Sequence, residues 1–176
     1  MAKTINDEFM QQVATEQAWK DLSETFSWTE TLLEKYSENV DWKLISTNGN
    51  IHWTISMLKK FSRKLDWSEI SRNIDKEWFT EAHLEELKDK WDWSILTYFY
   101  QLSEKLVDKY IDYIDWESFI GEKFNSGGLP RDDNFDAIAF YEKYKEHIPM
   151  STFHESELWK KIVEQLRRKL MKEIMS

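Results

Sequence analysis

Two consecutive stretches share one pattern: VDWKLISTNGNIHWTISMLKKFSRKL from Val40 to Leu65, and LDWSEISRNIDKEWFTEAHLEELKDKW from Leu65 to Trp91. Each opens with an Asp-Trp pair, continues through Ile-Ser and an Asn, and carries a second Trp before a helical run of apolar residues. A third Asp-Trp pair follows at Asp92. Self-similarity at a nearly fixed period is the signature of a stacked repeat protein, so this pattern predicts the architecture.

The same unit recurs on both sides of this stretch. The steps between the Trp residues that open successive units are 23, 25, 26 and 23 residues. The chain has ten Trp residues, and elements this short need such large side chains to bury enough apolar area. We therefore expect the Trp residues to form inter-repeat core. The five opening residues are Trp19, Trp42, Trp67, Trp93 and Trp116.

Each unit contains two capped helix starts, each with apolar residues placed to form a hydrophobic staple. The unit is therefore expected to be an αα-hairpin, with a short helix, a tight turn and a longer helix. Asn48 and Asn73 are expected to end the first helices in the left-handed conformation that Asn tolerates. The expected caps are Asp41, Asp66, Asp92 and Asp115 for the first helices, and Thr29, Thr54, Thr80 and Ser103 for the second.

The sequence predicts an all-α fold: an array of about five to six short αα-hairpin repeats, solenoid-like, with a leading helix and a long C-terminal capping helix. Gly-Gly followed by Pro predicts one loop, because this sequence cannot continue a helix. One domain, 1–176, is expected, with the leading helix in 1–17, regular Trp repeats in 18–120, the loop in 121–134, and a degenerate repeat with the C-terminal helix in 135–176.

The leading helix is expected to end near Glu16. The last helix is expected to run from about Ser151 to Ile174 and to cap the array with one amphipathic face, because Trp159, Val163, Leu166, Leu170 and Ile174 recur at helical spacing. Trp159 is further expected to occupy the second Trp position of a sixth, degenerate unit.

Composition excludes several classes of site. The chain contains no Cys, which excludes disulfides, thiol catalysis and Cys-based zinc sites. Its formal net charge of −9 disfavours bulk binding to nucleic acid or anionic membrane. No stretch has the length and apolar character of a membrane span or a signal peptide, so we expect a cytoplasmic protein that does not bind membranes.

The sequence contains no pattern typical of catalysis. None of the four His residues stands in the HExxH zinc pattern, and the Gly-rich loop lacks the Lys-Ser/Thr ending of a P-loop. No nucleophile elbow is present. We therefore expect no enzymatic activity, no catalytic or metal-binding residue, and no cofactor.

Two basic clusters stand out against the acidic background. The segment from Asp41 to Leu65 carries five Lys or Arg residues and one acidic residue. One interpretation is that these cations lie near a helix C-terminus, where the helix dipole stabilises positive charge. The alternative is a binding patch for phosphate or for an acidic partner. The second cluster lies on the C-terminal helix. The candidate binding residues are Lys59, Lys60, Arg63, Lys64, Arg131, Arg167, Arg168, Lys169 and Lys172.

The pattern Asp-Trp-x-x-Leu/Ile-Ser-x-Asn, followed by Trp-Ser/Thr, resembles a class of short Trp-rich repeats found in bacterial, phage and giant-virus proteins. The segments from Asp41 to Asn48 and from Asp66 to Asn73 match it most clearly. The resemblance implies an α-helical repeat scaffold and supplies no catalytic residue.

Three functions are consistent with these features. The first is a non-enzymatic protein-binding helical repeat module, because stacked helix pairs present an extended surface. The second is a small acidic inhibitor of the anti-CRISPR, anti-defence or toxin-immunity type, which would bind a nucleic-acid enzyme or its RNA-bound complex through complementary charge. The third is an RNA binder that uses the local basic patches. The net charge disfavours direct nucleic-acid binding.

Overall fold

The computed structural model describes residues 8–74, 80–121, 129 and 135–176, and this part of the chain forms twelve α-helices and no β-strand. Within it, no helix has both the length and the apolar character that crossing a membrane requires. The helices are α1 Glu8–Thr25, α2 Glu30–Lys35, α3 Trp42–Thr47, α4 Ile55–Lys60, α5 Trp67–Asn73, α6 Glu81–Glu86, α7 Trp93–Phe99, α8 Glu104–Lys109, α9 Trp116–Ile120, α10 Ala137–Tyr144, α11 Met150–Phe153 and α12 Glu157–Met175.

The helices form two compact units, Met1–Trp91 and Asp92–Ser176. In the first unit α1 packs against α3, and α3 packs against α5. In the second unit α7 packs against α9, α9 contacts α11, and α10 packs against α12. The odd-numbered helices are therefore the first helices of successive hairpins, here called A-helices, and the even-numbered ones are the B-helices. The predicted all-α repeat array is confirmed.

Local capping starts the short helices. The Asp41 carboxylate accepts from the backbone N–H groups of Lys43 and Leu44 at 3.0 and 3.2 Å, and the Thr54 hydroxyl accepts from Met57 N–H at 3.2 Å. Helices of six residues are not stable through propensity alone, so these caps and the packing of each hairpin must hold them. All eight predicted caps are confirmed: Asp41, Asp66, Asp92, Asp115, Thr29, Thr54, Thr80 and Ser103.

A buried serine hydroxyl links one A-helix to the start of the next. The Ser23 hydroxyl accepts from Asp41 N–H at 2.9 Å, and the Ser46 hydroxyl accepts from Asp66 N–H at 2.9 Å. Each hydroxyl also donates to the carbonyl four residues earlier in its own helix, at 2.7 Å. Both side chains are fully buried. The Ser of the repeat motif therefore joins neighbouring repeats.

Asn48 also joins neighbouring repeats, and its predicted left-handed conformation is wrong. Its backbone is extended, with φ −72° and ψ 105°, because the side chain reaches back to the end of α1. There the amide donates to the carbonyls of Ser23 and Phe26, at 2.8 and 2.9 Å, while its oxygen accepts from Asn50 N–H at 2.8 Å. Asn73 is the last residue of α5, so it does not supply a left-handed end either.

The opening Trp residues pack against an aromatic residue at the end of the B-helix of the same hairpin or just after it. Trp93 and Trp116 are buried, and the other three are half-buried. The indole N–H groups of Trp42, Trp67 and Trp116 each donate to a carbonyl five residues earlier, as from Trp42 to Ser37 at 2.9 Å. These ring contacts join the two helices of one hairpin, and the inter-repeat role of Trp stays a prediction. The ring pairs include Trp19–Tyr36, Trp42–Phe61, Trp93–Tyr110 and Trp116–Tyr144, with centroids 5.0 to 5.5 Å apart.

Two predicted helix lengths are wrong. α1 continues past the expected end near Glu16, because Ala18 stands where the later repeats have their Asp cap and cannot stop the helix. The second helices of the first four hairpins have six residues each and are not longer than the first helices. The predicted loop in 121–134 lies outside the described residues except for Gly121 and Leu129.

The predicted last helix is two helices. α11 ends at Phe153, and α12 starts after a new N-cap, Ser156, whose hydroxyl accepts from Trp159 N–H at 3.1 Å. Trp159 therefore lies in the first turn of α12, and not in the Trp position before a second cap as predicted.

Candidate binding surface

The first basic cluster is engaged in ion pairs between repeats. Lys60 Nζ lies 2.9 Å from a Glu34 carboxylate oxygen, and Lys64 Nζ lies 2.8 Å from one of Glu38. Lys59 pairs with a glutamate of α6. The partners are 26 or 27 residues apart in sequence, which is close to the repeat period. Lys59 and Lys60 therefore connect neighbouring B-helices, and Lys64 connects the turns that follow α2 and α4.

These pairs leave little positive charge for a ligand at this cluster. The hydrogen bonds that Lys60 donates to Glu34 and Glu30 raise the pKa of Lys60, and the hydrogen bond that Lys64 donates to Glu38 lowers the pKa of Glu38. Arg63 is exposed and makes no ion pair with the described residues. The lysines of this cluster have a structural role, because they pair with glutamates of neighbouring repeats. A binding role for the cluster stays a prediction.

The second unit contains a related ion-pair site that the sequence analysis missed. Lys143 Nζ lies 2.7 Å from Glu104 and 2.9 Å from Asp108, and the Tyr144 hydroxyl donates to Asp108 at 2.7 Å. Burial and this hydrogen bond raise the pKa of Tyr144 to about 12, while Lys143 and Tyr144 lower the pKa of Asp108. The site ties α10 to α8 and has the same arrangement as the pairs between α4 and α2.

The second basic cluster lies on α12, which is anchored at its start and exposed beyond it. Leu158 and Ile162 are buried. The Gln165 side-chain oxygen accepts from the backbone N–H groups of Ala137 and Ile138 at 3.0 and 3.4 Å, so this face of α12 packs against the start of α10. From Arg167 to the end of the helix every residue is exposed.

Four apolar residues form an exposed line along α12, which we call the α12 stripe: Val163, Leu166, Leu170 and Ile174. They are 45, 44, 56 and 83% exposed. Because they are spaced by three, four and four residues, they share one helix face. At 100° per residue, Val163 points away from the side that carries Gln165. Of the residues predicted to face the array, Trp159 contacts Phe153, with ring centroids 5.4 Å apart, whereas the four residues of the α12 stripe are exposed; Leu158 and Ile162 are the buried residues of this helix.

Cations lie on both sides of α12: at 100° per residue, Arg167 and Lys169 flank the α12 stripe, whereas Arg168 and Lys172 lie on the opposite side. Arg167, Lys169 and Lys172 are exposed and make no ion pair with the described residues. Arg168 lies 2.5 Å from a carboxylate oxygen of Glu164, one turn earlier in the same helix. The structure thus brings four of the predicted binding residues together. Arg131 lies outside the described residues.

The described residues contain no group of three or more His, Asp or Glu side chains that could hold a metal ion. His147 stacks on Trp116 with ring centroids 5.5 Å apart, and His154 contacts Trp159 at 4.7 Å, so both rings pack against indoles. A cleft of about 340 Å³ beside α3 and α5 is lined by polar and apolar residues that include Asn48, His52, Trp53, Ile70 and Asn73. Among the described residues that line this cleft, His52 has the one titratable side chain.

Comparisons of the chain with protein-family models, curated proteins and solved structures find no match. The class of protein is therefore defined by the fold and its surface: an all-α repeat protein that carries an exposed, basic amphipathic helix.

Proposed function

We propose that this chain is a non-enzymatic protein-binding module and that its binding surface is the α12 stripe with the flanking cations Arg167 and Lys169. The main support for this proposal is that four large apolar side chains, between 44 and 83% exposed, lie along successive turns of one helix. Contiguous exposed apolar surface with a polar rim marks interaction sites in soluble proteins. The stacked hairpins supply a scaffold that holds the start of α12 in place.

The charge around the stripe favours an acidic partner. Arg167 and Lys169 would attract carboxylates at the rim, Lys172 would add to the attraction during encounter, and the apolar residues would supply most of the affinity. An amphipathic helix is the simplest partner shape, since residues at this spacing dock on a helix or in an apolar groove.

A paired affinity capture tests this proposal. The bait proteins are wild type, the double variant Leu166→Glu/Leu170→Glu, and Met150→Glu as a matched control, because Met150 is 55% exposed and lies outside α12. Circular dichroism first establishes that all three have the same helix content. We expect wild type and Met150→Glu to recover the same partner and the double variant to lose it. Binding of the purified partner should weaken by at least about 100-fold. Equal recovery by all three baits would contradict the proposal.

A second candidate is the acidic inhibitor of a nucleic-acid enzyme. Two features favour it: the resemblance to phage repeats, and the first helix, where all residues from Glu8 to Ala18 are exposed. α1 carries four acidic residues against one basic residue, a net charge of −3. In the same capture, the variant Glu16→Lys/Glu24→Lys would lose a nuclease or RNA-bound complex that wild type recovers. Retention of such a partner by this variant would exclude α1 as its contact.

Direct RNA binding has less support. Lys59, Lys60 and Lys64 are occupied by carboxylates, and Trp42 and Trp116 pack against other rings. A strand of bases would need free cations and open ring faces.

A further inference from the structure

The first A-helix has an open face that the later A-helices do not have. Three residues after its opening Trp, each later A-helix carries an apolar side chain that is at most 1% exposed, such as Ile45, Ile70 and Phe119. The matching residue of α1 is Leu22, and it is 42% exposed. Ile45 and Ile70 belong to A-helices with another A-helix before them, α1 and α3, whereas α1 is the first described helix. The face of α1 that carries Leu22 is therefore shaped for a neighbour.

This face forms a shallow groove of small side chains. Ala14, Ala18 and Leu22 lie at successive turns, and Gln11 and Trp19 flank them in a depression of about 250 Å³. Small side chains permit the close approach of another helix, whose larger apolar residues can then fill the groove. The α12 stripe presents such residues, Leu166 and Leu170 among them.

The two surfaces have opposite charge. α1 carries a net charge of −3, from four acidic residues and one basic residue. α12 carries +3, from six basic and three acidic residues. Their exposed lengths also match: residues 8–22 of α1 and 163–175 of α12 each span about 20 Å at 1.5 Å per residue. Pairing of α12 with another α12 would bring cations such as Arg167 and Lys169 together, so charge disfavours that arrangement.

We propose that the α12 stripe docks on α1 of a second copy of this chain, so that copies associate head to tail. The inference rests on the proposed function of α12 as a protein-binding surface, and it names the partner. Because the two contacting surfaces differ, a pair of copies retains one unused α1 on one copy and one unused α12 stripe on the other. Such a heterologous contact continues into longer assemblies or closes into a ring.

Two blocking variants test the arrangement. Leu166→Glu/Leu170→Glu blocks the stripe, and Ala14→Arg/Ala18→Arg blocks the α1 groove with bulk and reversed charge at exposed helix positions. Met150→Glu is again the control. Sedimentation velocity measures the mass of each full-length protein over a wide concentration range, after circular dichroism has established equal helix content.

Wild type and Met150→Glu should associate into dimers and larger species as concentration rises, and added salt should weaken the association. Each blocked variant alone should remain monomeric, with the dissociation constant raised by at least about 100-fold. An equimolar mixture of the two variants should form a dimer that does not grow further, since one variant retains α1 and the other retains the stripe.

Two results would overturn the inference: wild type that stays monomeric throughout, or a mixture of blocked variants that does not pair. If wild type stays monomeric and the capture experiment still loses its partner with Leu166→Glu/Leu170→Glu, the second-copy inference alone fails. If that capture also shows no dependence on the stripe, the proposed function fails as well.

Discussion

The variant Ser46→Ala removes the hydroxyl that links α3 to the start of α5. In wild type this oxygen lies 2.7 Å from the Trp42 carbonyl oxygen and 2.9 Å from the Asp66 nitrogen, and the side chain is 1% exposed. Without it, the Asp66 N–H loses its acceptor at a site with little access to water. An unsatisfied group of this kind costs about 1–3 kcal/mol, and the higher helix propensity of Ala offsets a few tenths. We therefore expect the free energy of unfolding to fall by about 1–2.5 kcal/mol.

Urea unfolding, followed by both circular dichroism and Trp fluorescence, measures this loss. Coincidence of the two transitions must come first, since repeat arrays can unfold in more than one step. The matched control is Ser56→Ala, because the Ser56 hydroxyl is exposed and lies 3.4 Å from a Glu30 oxygen; its effect should stay within about 0.5 kcal/mol. Ser23→Ala should match Ser46→Ala, because it removes the same pair of bonds. An effect of Ser46→Ala no larger than that of the control would refute the linking role.

Three further predictions concern residues that hold the hairpins together. Asn48→Ala should cost about 2–3 kcal/mol, because two carbonyls at the end of α1 lose their donor; urea unfolding measures this, and a loss under 0.5 kcal/mol would contradict it. Trp42→Ala should lower the stability by about 2–4 kcal/mol, near the low end of buried Trp truncations because the ring is half-buried; thermal unfolding checks this, and an unchanged midpoint would oppose it. Lys143 and Tyr144 lower the pKa of Asp108 from 3.8. The stability that the ionised Asp108 carboxylate contributes is therefore present above pH 3.8 and is lost as the pH falls through the lowered pKa. Urea midpoints from pH 7 to pH 2 should therefore fall less steeply in Asp108→Asn than in wild type, and parallel curves would exclude the effect.

The helix starts could be predicted because capping is local chemistry. Asp41 and Thr54 each accept from backbone N–H groups two or three residues later, so the information lies within one turn of sequence. The same local reasoning failed at Asn48, whose partners lie 22 and 25 residues earlier in another repeat. Its conformation is decided by those carbonyls and not by the intrinsic preference of Asn.

The ion pairs of the first basic cluster could have been found from the repeat period. Glu34 precedes Lys60 by 26 residues, and Glu38 precedes Lys64 by the same number, so stacking of the repeats brings each pair together. A count of charges along one segment hid these partners. The helix dipole alone therefore does not explain why cations cluster here, because these lysines also pair with glutamates of neighbouring repeats.

The exposure of the α12 stripe could not be predicted from periodicity. Helical spacing shows that Leu166 and Leu170 share a face, but it does not show whether a neighbour covers that face. The deciding contact is the pair of bonds from Ala137 and Ile138 to Gln165, which turns the other side of α12 toward α10. The difference in exposure between Leu22 and Ile45 could likewise not be predicted, because the two residues occupy equivalent positions in the repeat sequence.

Site-specific photo-crosslinking tests most directly whether the α12 stripe is a protein-binding surface. A benzophenone side chain is placed at position 170, and at position 155 as the exposed control, in the full-length protein within cells that produce it. If the α12 stripe binds protein, position 170 should give abundant protein adducts, including adducts that map to α1 of a second copy, and position 155 should give few. Adducts no more frequent from position 170 than from position 155 would contradict it.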